Sequence, residues 1–142
     1  MRVLLALAGL SILAACSADR AGWARRGSFW KLHESPSLQV RRGSQYVDPK
    51  TGELVLHWVG ARAPEDEPEL LACELAVFDD ADGDRKPGRS EILLVRESST
   101  PTRKVLFDDV RTRSKPGSKL RVRLDVRTAA ETCEVVWDLD PD

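Results

Sequence analysis

From residue 37 to residue 139 apolar and polar positions alternate in short runs. Period 2 sends successive side chains to opposite faces of a strand, so each run predicts a half-buried strand. Residues 37–41 form a weak first candidate. Residues 53–59 are stronger, with Leu54, Leu56 and Trp58 on one face and Val55, His57 and Val59 on the other. They follow a turn-like stretch, residues 48–52, that contains Pro49 and Gly52. In residues 70–78, Leu71, Cys73, Leu75 and Val77 share a face. Residues 92–95 and 105–107 are short apolar runs. Residues 119–127 alternate most clearly, with Leu120, Val122, Leu124 and Val126 opposed by Arg121, Arg123, Asp125 and Arg127. Residues 132–139 close the series, with Cys133, Val135, Trp137 and Leu139 aligned.

About seven strands with turn signals between them, and no 3.6-residue period, predict an all-β fold. The expected architecture is a single β-sandwich, with a small β-barrel as the alternative. The pattern resembles immunoglobulin-like and fibronectin-like modules in architecture only. The antibody order Cys…Trp…Cys is absent, because Trp58 precedes Cys73 and Trp137 follows Cys133.

The N-terminus differs in kind. Residues 1–16 read MRVLLALAGLSILAAC. A basic Arg2 precedes an apolar run that is too short to span a bilayer, which needs roughly 20 apolar residues, but suits a secretory signal. Its end, Leu13-Ala14-Ala15-Cys16, resembles the lipobox of bacterial lipoproteins. That resemblance implies cleavage before Cys16, a diacylglycerol thioether on its sulfur and acylation of the new N-terminus. Ser17 in place of Asp implies transit to the outer membrane, with the domain expected at its periplasmic face. Several acyl chains make a stable anchor. The expected organisation is a signal peptide (1–15), a lipidated tether (16–36) and a β-sandwich (37–142). Removing 15 of 142 residues leaves 127.

With Cys16 lipidated, Cys73 and Cys133 remain. Exported domains usually pair such cysteines, and both fall on the apolar face of their strands. The expectation is a buried disulfide closing a loop of about 60 residues, stabilising by roughly 2–4 kcal/mol. The tether carries Arg20, Arg25, Arg26 and Lys31 beside Trp23, Phe29 and Trp30. It reads either as a membrane-proximal segment, with rings and cations at the headgroups, or as a plain linker folded back on the domain.

Lys plus Arg is 22 and Asp plus Glu is 23, a net charge of −1. That disfavours nucleic acid as a partner. The charge is unevenly spread. Residues 65–84 hold nine acids and no base, residues 103–127 nine bases against three acids, and residues 128–142 five acids and no base. Arg121, Arg123 and Arg127 form a candidate basic face for an acidic protein, anionic lipid or envelope polymer. The alternative is compensation by an acidic neighbouring strand.

Residues 79–91 read DDADGDRKPGRSE. Asp80, Asp82, Asp84 and Glu91 occupy positions 1, 3, 5 and 12 of a loop whose spacing resembles the EF-hand. Hard oxygen ligands at those offsets can wrap one Ca2+. Arg85 stands where the EF-hand has Gly, Pro87 stands at an apolar position, and the flanks read as strands. The other reading is a solvated hairpin loop stabilised by Asp and Gly.

His33 and His57 are the two histidines. There is no H-E-x-x-H, G-x-S-x-G, Walker A or C-x-x-C. The expected protein is therefore a non-enzymatic, membrane-anchored lipoprotein without a cofactor. Its β-sandwich would bind or scaffold another envelope component. The alternatives are a calcium-binding adhesion or recognition module and an envelope enzyme or accessory subunit built around His57.

Overall fold

The computed structural model describes residues 29–142. The expected signal peptide, the expected lipidation site Cys16 and most of the expected tether lie outside the described residues. Within them, nine strands follow in order: β1 (Trp30–Glu34), β2 (Gln39–Arg42), β3 (Gln45–Val47), β4 (Leu54–Arg62), β5 (Leu70–Asp79), β6 (Ile92–Glu97), β7 (Lys104–Thr112), β8 (Leu120–Thr128) and β9 (Thr132–Asp138). One short 3-10 turn, Arg89–Glu91, leads into β6.

The strands form two antiparallel sheets. In the first, β1 pairs β2, β2 and β3 lie end to end along one side of β4, and β7 lies along the other. The second has the order β6-β5-β8-β9. The sheets pack face to face as a β-sandwich, and no barrel closes. Leu56, Val59, Leu75, Val77, Val122 and Leu124, all fully buried, fill the space between them. Each such side chain contributes about 1.5–3 kcal/mol by leaving water.

Seven strands match the expected runs, five alternating and two short and apolar. β1 and β3 are additional, and β1 moves the expected domain boundary. Residues 30–34 pair with β2, so the sandwich includes β1 and does not begin at residue 37 as expected.

The first sheet changes phase. In β4 the core side chains are Leu54 and Leu56, then Val59 and Ala61. In β7 they are Val105 and Phe107, then Val110. Each series contains one odd step. Asp109, which the register sets opposite His57, has φ 54. This left-handed backbone turns Val110 inward. Trp58, expected beside Leu54 and Leu56, is fully buried but lies outside the inter-sheet cluster. Its indole lies against Gly43, where any Cβ would sit 2.2 Å from Nε1. Only Gly permits that approach. In β5 a register shift between Leu70 and Ala72 buries Leu70 and leaves Leu71 41% exposed, reversing the expected role of Leu71.

The expected disulfide is corrected. Cys73 and Cys133 are free and buried. Cys73 pairs with Val126 on one side of β8, and Cys133 pairs with Val126 on the other. Two inter-strand spacings of about 4.8 Å separate them, beyond the roughly 7 Å Cα limit for a bridge. Both point inward as expected, but β8 stands between them. Burial, with Asp125 nearby, pushes the Cys73 thiol up to about 12. Burial, with Glu131 and Asp125, pushes the Cys133 thiol up to about 11.

Candidate metal centre

The loop between β5 and β6 brings together the four acids that the spacing singles out. One carboxylate oxygen each from Asp80, Asp82, Asp84 and Glu91 lies within 4.8 Å of the others. The local hydrogen bonds follow from sequence. The Asp84 amide donates to Asp82 Oδ1 at 3.2 Å, and the Lys86 amide donates to Asp84 Oδ1 at 2.9 Å. These two turns wind the loop tightly. Glu91 reaches back, accepting from the Ala81 amide at 3.0 Å and the Gly88 amide at 2.8 Å.

Arg85 shows how this loop manages without the EF-hand glycine. Its φ is 62, in the left-handed region. A residue with a Cβ is held there at a cost of roughly 1–2 kcal/mol. Its amide donates to Asp80 Oδ2 at 3.0 Å. Its side chain turns away from the carboxylates, donating to the Val136 carbonyl at 3.0 Å and approaching Asp138 at 3.6 Å. The guanidinium that would repel a cation is thus committed to β9.

Asp80 is completely buried. Its Oδ2 accepts from Arg121 Nε at 2.6 Å, and Arg121 also pairs with Asp138. Burial pushes the Asp80 carboxyl up, but the hydrogen bonds from Arg121 and the Arg85 amide outweigh it and hold it below the usual range. Its Oδ1 is buried with no hydrogen-bond partner. A buried, ionised oxygen without a donor is costly, and a cation would supply what is missing. Asp82 shows the same shortage of positive charge. The Asp84 amide pulls its carboxyl down, but the nearby Asp84 carboxyl, burial and Glu91 outweigh it and hold it above the usual range.

The predicted basic face does not form as an open patch. Arg121 is taken by Asp80 and Asp138. Arg123 lies 3.1 Å from Asp125, 3.5 Å from Glu74 and 3.7 Å from Glu134. Arg127 is exposed and makes none of these pairs. Compensation by neighbouring strands is therefore the outcome for two of the three.

Sequence reasoning missed an acidic row. The register sets Glu97, Glu74, Asp125 and Glu134 side by side across β6, β5, β8 and β9. Like charges directly opposite are unfavourable, and burial, with Glu134 beside it, holds the Asp125 carboxyl above the usual range. Combining strand parity with a correct strand order would have exposed it.

It also missed a second carboxylate centre. Glu131, in the β8–β9 turn, accepts from Ser35 and Ser37 on one oxygen, and His33 Nε2 lies 2.9 Å from the other. Both hydroxyls go to the carboxylate and neither to the imidazole, so no nucleophile–base pair forms. His57 is exposed on β4 beside Ser44. Comparison with known proteins finds no matching family model, no similar curated protein and no similar solved structure. Among the described residues no helix is long and apolar enough to cross a membrane.

Proposed function

We propose that this chain is a calcium-binding recognition module of the bacterial cell envelope, non-enzymatic and carried on a lipid anchor at Cys16. The observation that carries the calcium reading is the buried, unpartnered Asp80 Oδ1 beside three further carboxylates whose oxygens converge within 4.8 Å. Four hard oxygen donors suit Ca2+ better than a softer transition metal. Lys86 and Arg89 nearby weaken the site, so the affinity belongs in the range of extracellular modules, about 0.1–1 mM. The anchor rests on the lipobox resemblance, and the recognition role rests on the converging carboxylates of the β5–β6 loop.

Calorimetric titration of the full mature chain tests the metal. Binding of one Ca2+, abolished by Asp82→Asn with Glu91→Gln, is the expected result. No heat and no shift in melting temperature at 10 mM Ca2+ overturns it, since that is about tenfold above the weakest expected dissociation constant. Metabolic labelling with a fatty acid, lost in Cys16→Ser, tests the anchor separately.

A further inference from the structure

Arg85 has two seats within its reach, and the fold decides which one it takes. Its backbone belongs to the acidic loop, where its amide donates to Asp80 Oδ2 at 3.0 Å. The carboxylates of Asp80, Asp82, Asp84 and Glu91 converge there. A guanidinium on the same loop is a ready counter-cation for such a cluster, because Arg matches carboxylates in both charge and shape. The side chain nevertheless runs the other way. Its Nη2 donates to the Val136 carbonyl at 3.0 Å, and its Nη1 lies 3.6 Å from Asp138 Oδ1. Both partners belong to β9, which no local feature of the loop specifies.

Asp138 serves two guanidiniums at once. The same Oδ1 pairs with Arg121, whose Nε holds Asp80. The side chains of Arg85 and Asp138 are 50% and 57% exposed, so their pair is screened and weak. Such a pair holds an arginine in place only while both of its anchors are present. Lys86 and Arg89 also lie in the loop and are exposed. Among the described residues neither has a seat on β9, so the outward placement is particular to Arg85.

We infer that Asp138 is a positioning residue for the metal centre: with the Val136 carbonyl it holds the Arg85 guanidinium out of the carboxylate cluster and keeps the ligand oxygens open to a cation. Without Asp138 the side chain swings inward, pairs with the cluster and competes with Ca2+ as an internal cation. The inference rests on the calcium reading above, which supplies the competing ion.

A double-mutant cycle read by calorimetric titration tests it. The full mature chain is made with Cys16→Ser to remove the lipid and is titrated with Ca2+ in about 0.15 M salt, which screens long-range charge effects. Asp138→Asn should weaken Ca2+ binding about fivefold. In an Arg85→Gln background the same change should weaken it by no more than about twofold, because the competing guanidinium is gone. Asp138→Glu keeps a carboxylate at that position and should restore the affinity. A second readout needs no calcium. In EDTA, nuclear Overhauser contacts between the Arg85 side chain and Val136 are expected in the unmodified chain and should be lost in Asp138→Asn. Circular dichroism checks that each variant folds. An equal loss of affinity with and without Arg85 assigns the effect to the charge of Asp138 alone and overturns the inference. Unchanged affinity in Asp138→Asn, or persistence of the Val136 contacts there, overturns it as well. Absence of Ca2+ binding in the unmodified chain overturns the calcium reading instead, and the contacts in EDTA then still decide whether Asp138 positions Arg85.

Discussion

The two ends of the second sheet each hold a carboxylate centre, and the two are in opposite electrostatic condition. At the β8–β9 turn, Glu131 is alone among donors, and Ser35, Ser37 and His33 all converge on it. At the far end of β8, Asp80 has Arg121 and the Arg85 amide on one oxygen and nothing on the other. Three more carboxylates crowd beside it. Glu131 is saturated by the protein and works as a clasp, tying the β1–β2 segment to the second sheet. The Asp80 centre has more acceptors than donors, and that surplus is what a cation needs.

The largest expected effect comes from breaking the clasp. Glu131→Ala strands two hydroxyls and an imidazole, which costs about 2 kcal/mol, read as a lower urea midpoint. The pH dependence has a definite sign. Hydrogen bonds from Ser35 and Ser37, then His33, hold the Glu131 carboxyl below its usual value of 4.5. Its contribution is therefore complete above about pH 4.5 and is lost as pH falls through the lower folded-state value. Glu131→Gln should flatten that acid limb.

Calcium comes next. At about ten times its dissociation constant it should stabilise the chain by about 1.4 kcal/mol, seen as a higher melting temperature. The shift should vanish in Glu91→Gln and stay intact in Glu131→Gln. That pair of results separates site from clasp.

Arg121→Gln sharpens the comparison further. Without the guanidinium, Asp80 should be destabilised in EDTA and bind Ca2+ about tenfold more tightly, because a competing cation is gone. Equal affinity in both proteins would place Asp80 outside the ligand set. The smallest effect belongs to the acidic row between the two ends. The raised Asp125 carboxyl means that its ionisation opposes folding as pH rises through the folded-state value. Asp125→Asn should stabilise by a few tenths of a kcal/mol at pH 7 and by nothing near pH 3. The measurement is a pair of urea titrations.

Most strands were legible because alternation over five to nine residues has one physical explanation. β3 was not, since three residues cannot show a period, and β1 (WKLHE) alternates only briefly beside an aperiodic stretch, with a burial pattern that does not follow the alternation. The phase change at His57 and Asp109 was hidden too. A single left-handed Asp leaves no mark in an apolar pattern, so Trp58 was assigned to the wrong face. The acidic loop was readable because its ligand offsets lie within one segment. The direction of the Arg85 side chain was not, since it depends on β9 being near. The arginine stripe failed as a patch for the same reason. Alternation says which way Arg121 and Arg123 point, but only strand order says that Asp138, Glu74 and Glu134 stand beside them.

Val126 carries a consequence for the order of events in folding. Its strand separates two thiols that would otherwise be neighbours in the sheet. A chain collapsing in oxidising surroundings before β8 has docked could join Cys73 to Cys133 and so close the gap that β8 must enter. The native sheet therefore holds Cys73 and Cys133 as separate thiols, one on each side of β8. Once seated, β8 shields both thiols from one another.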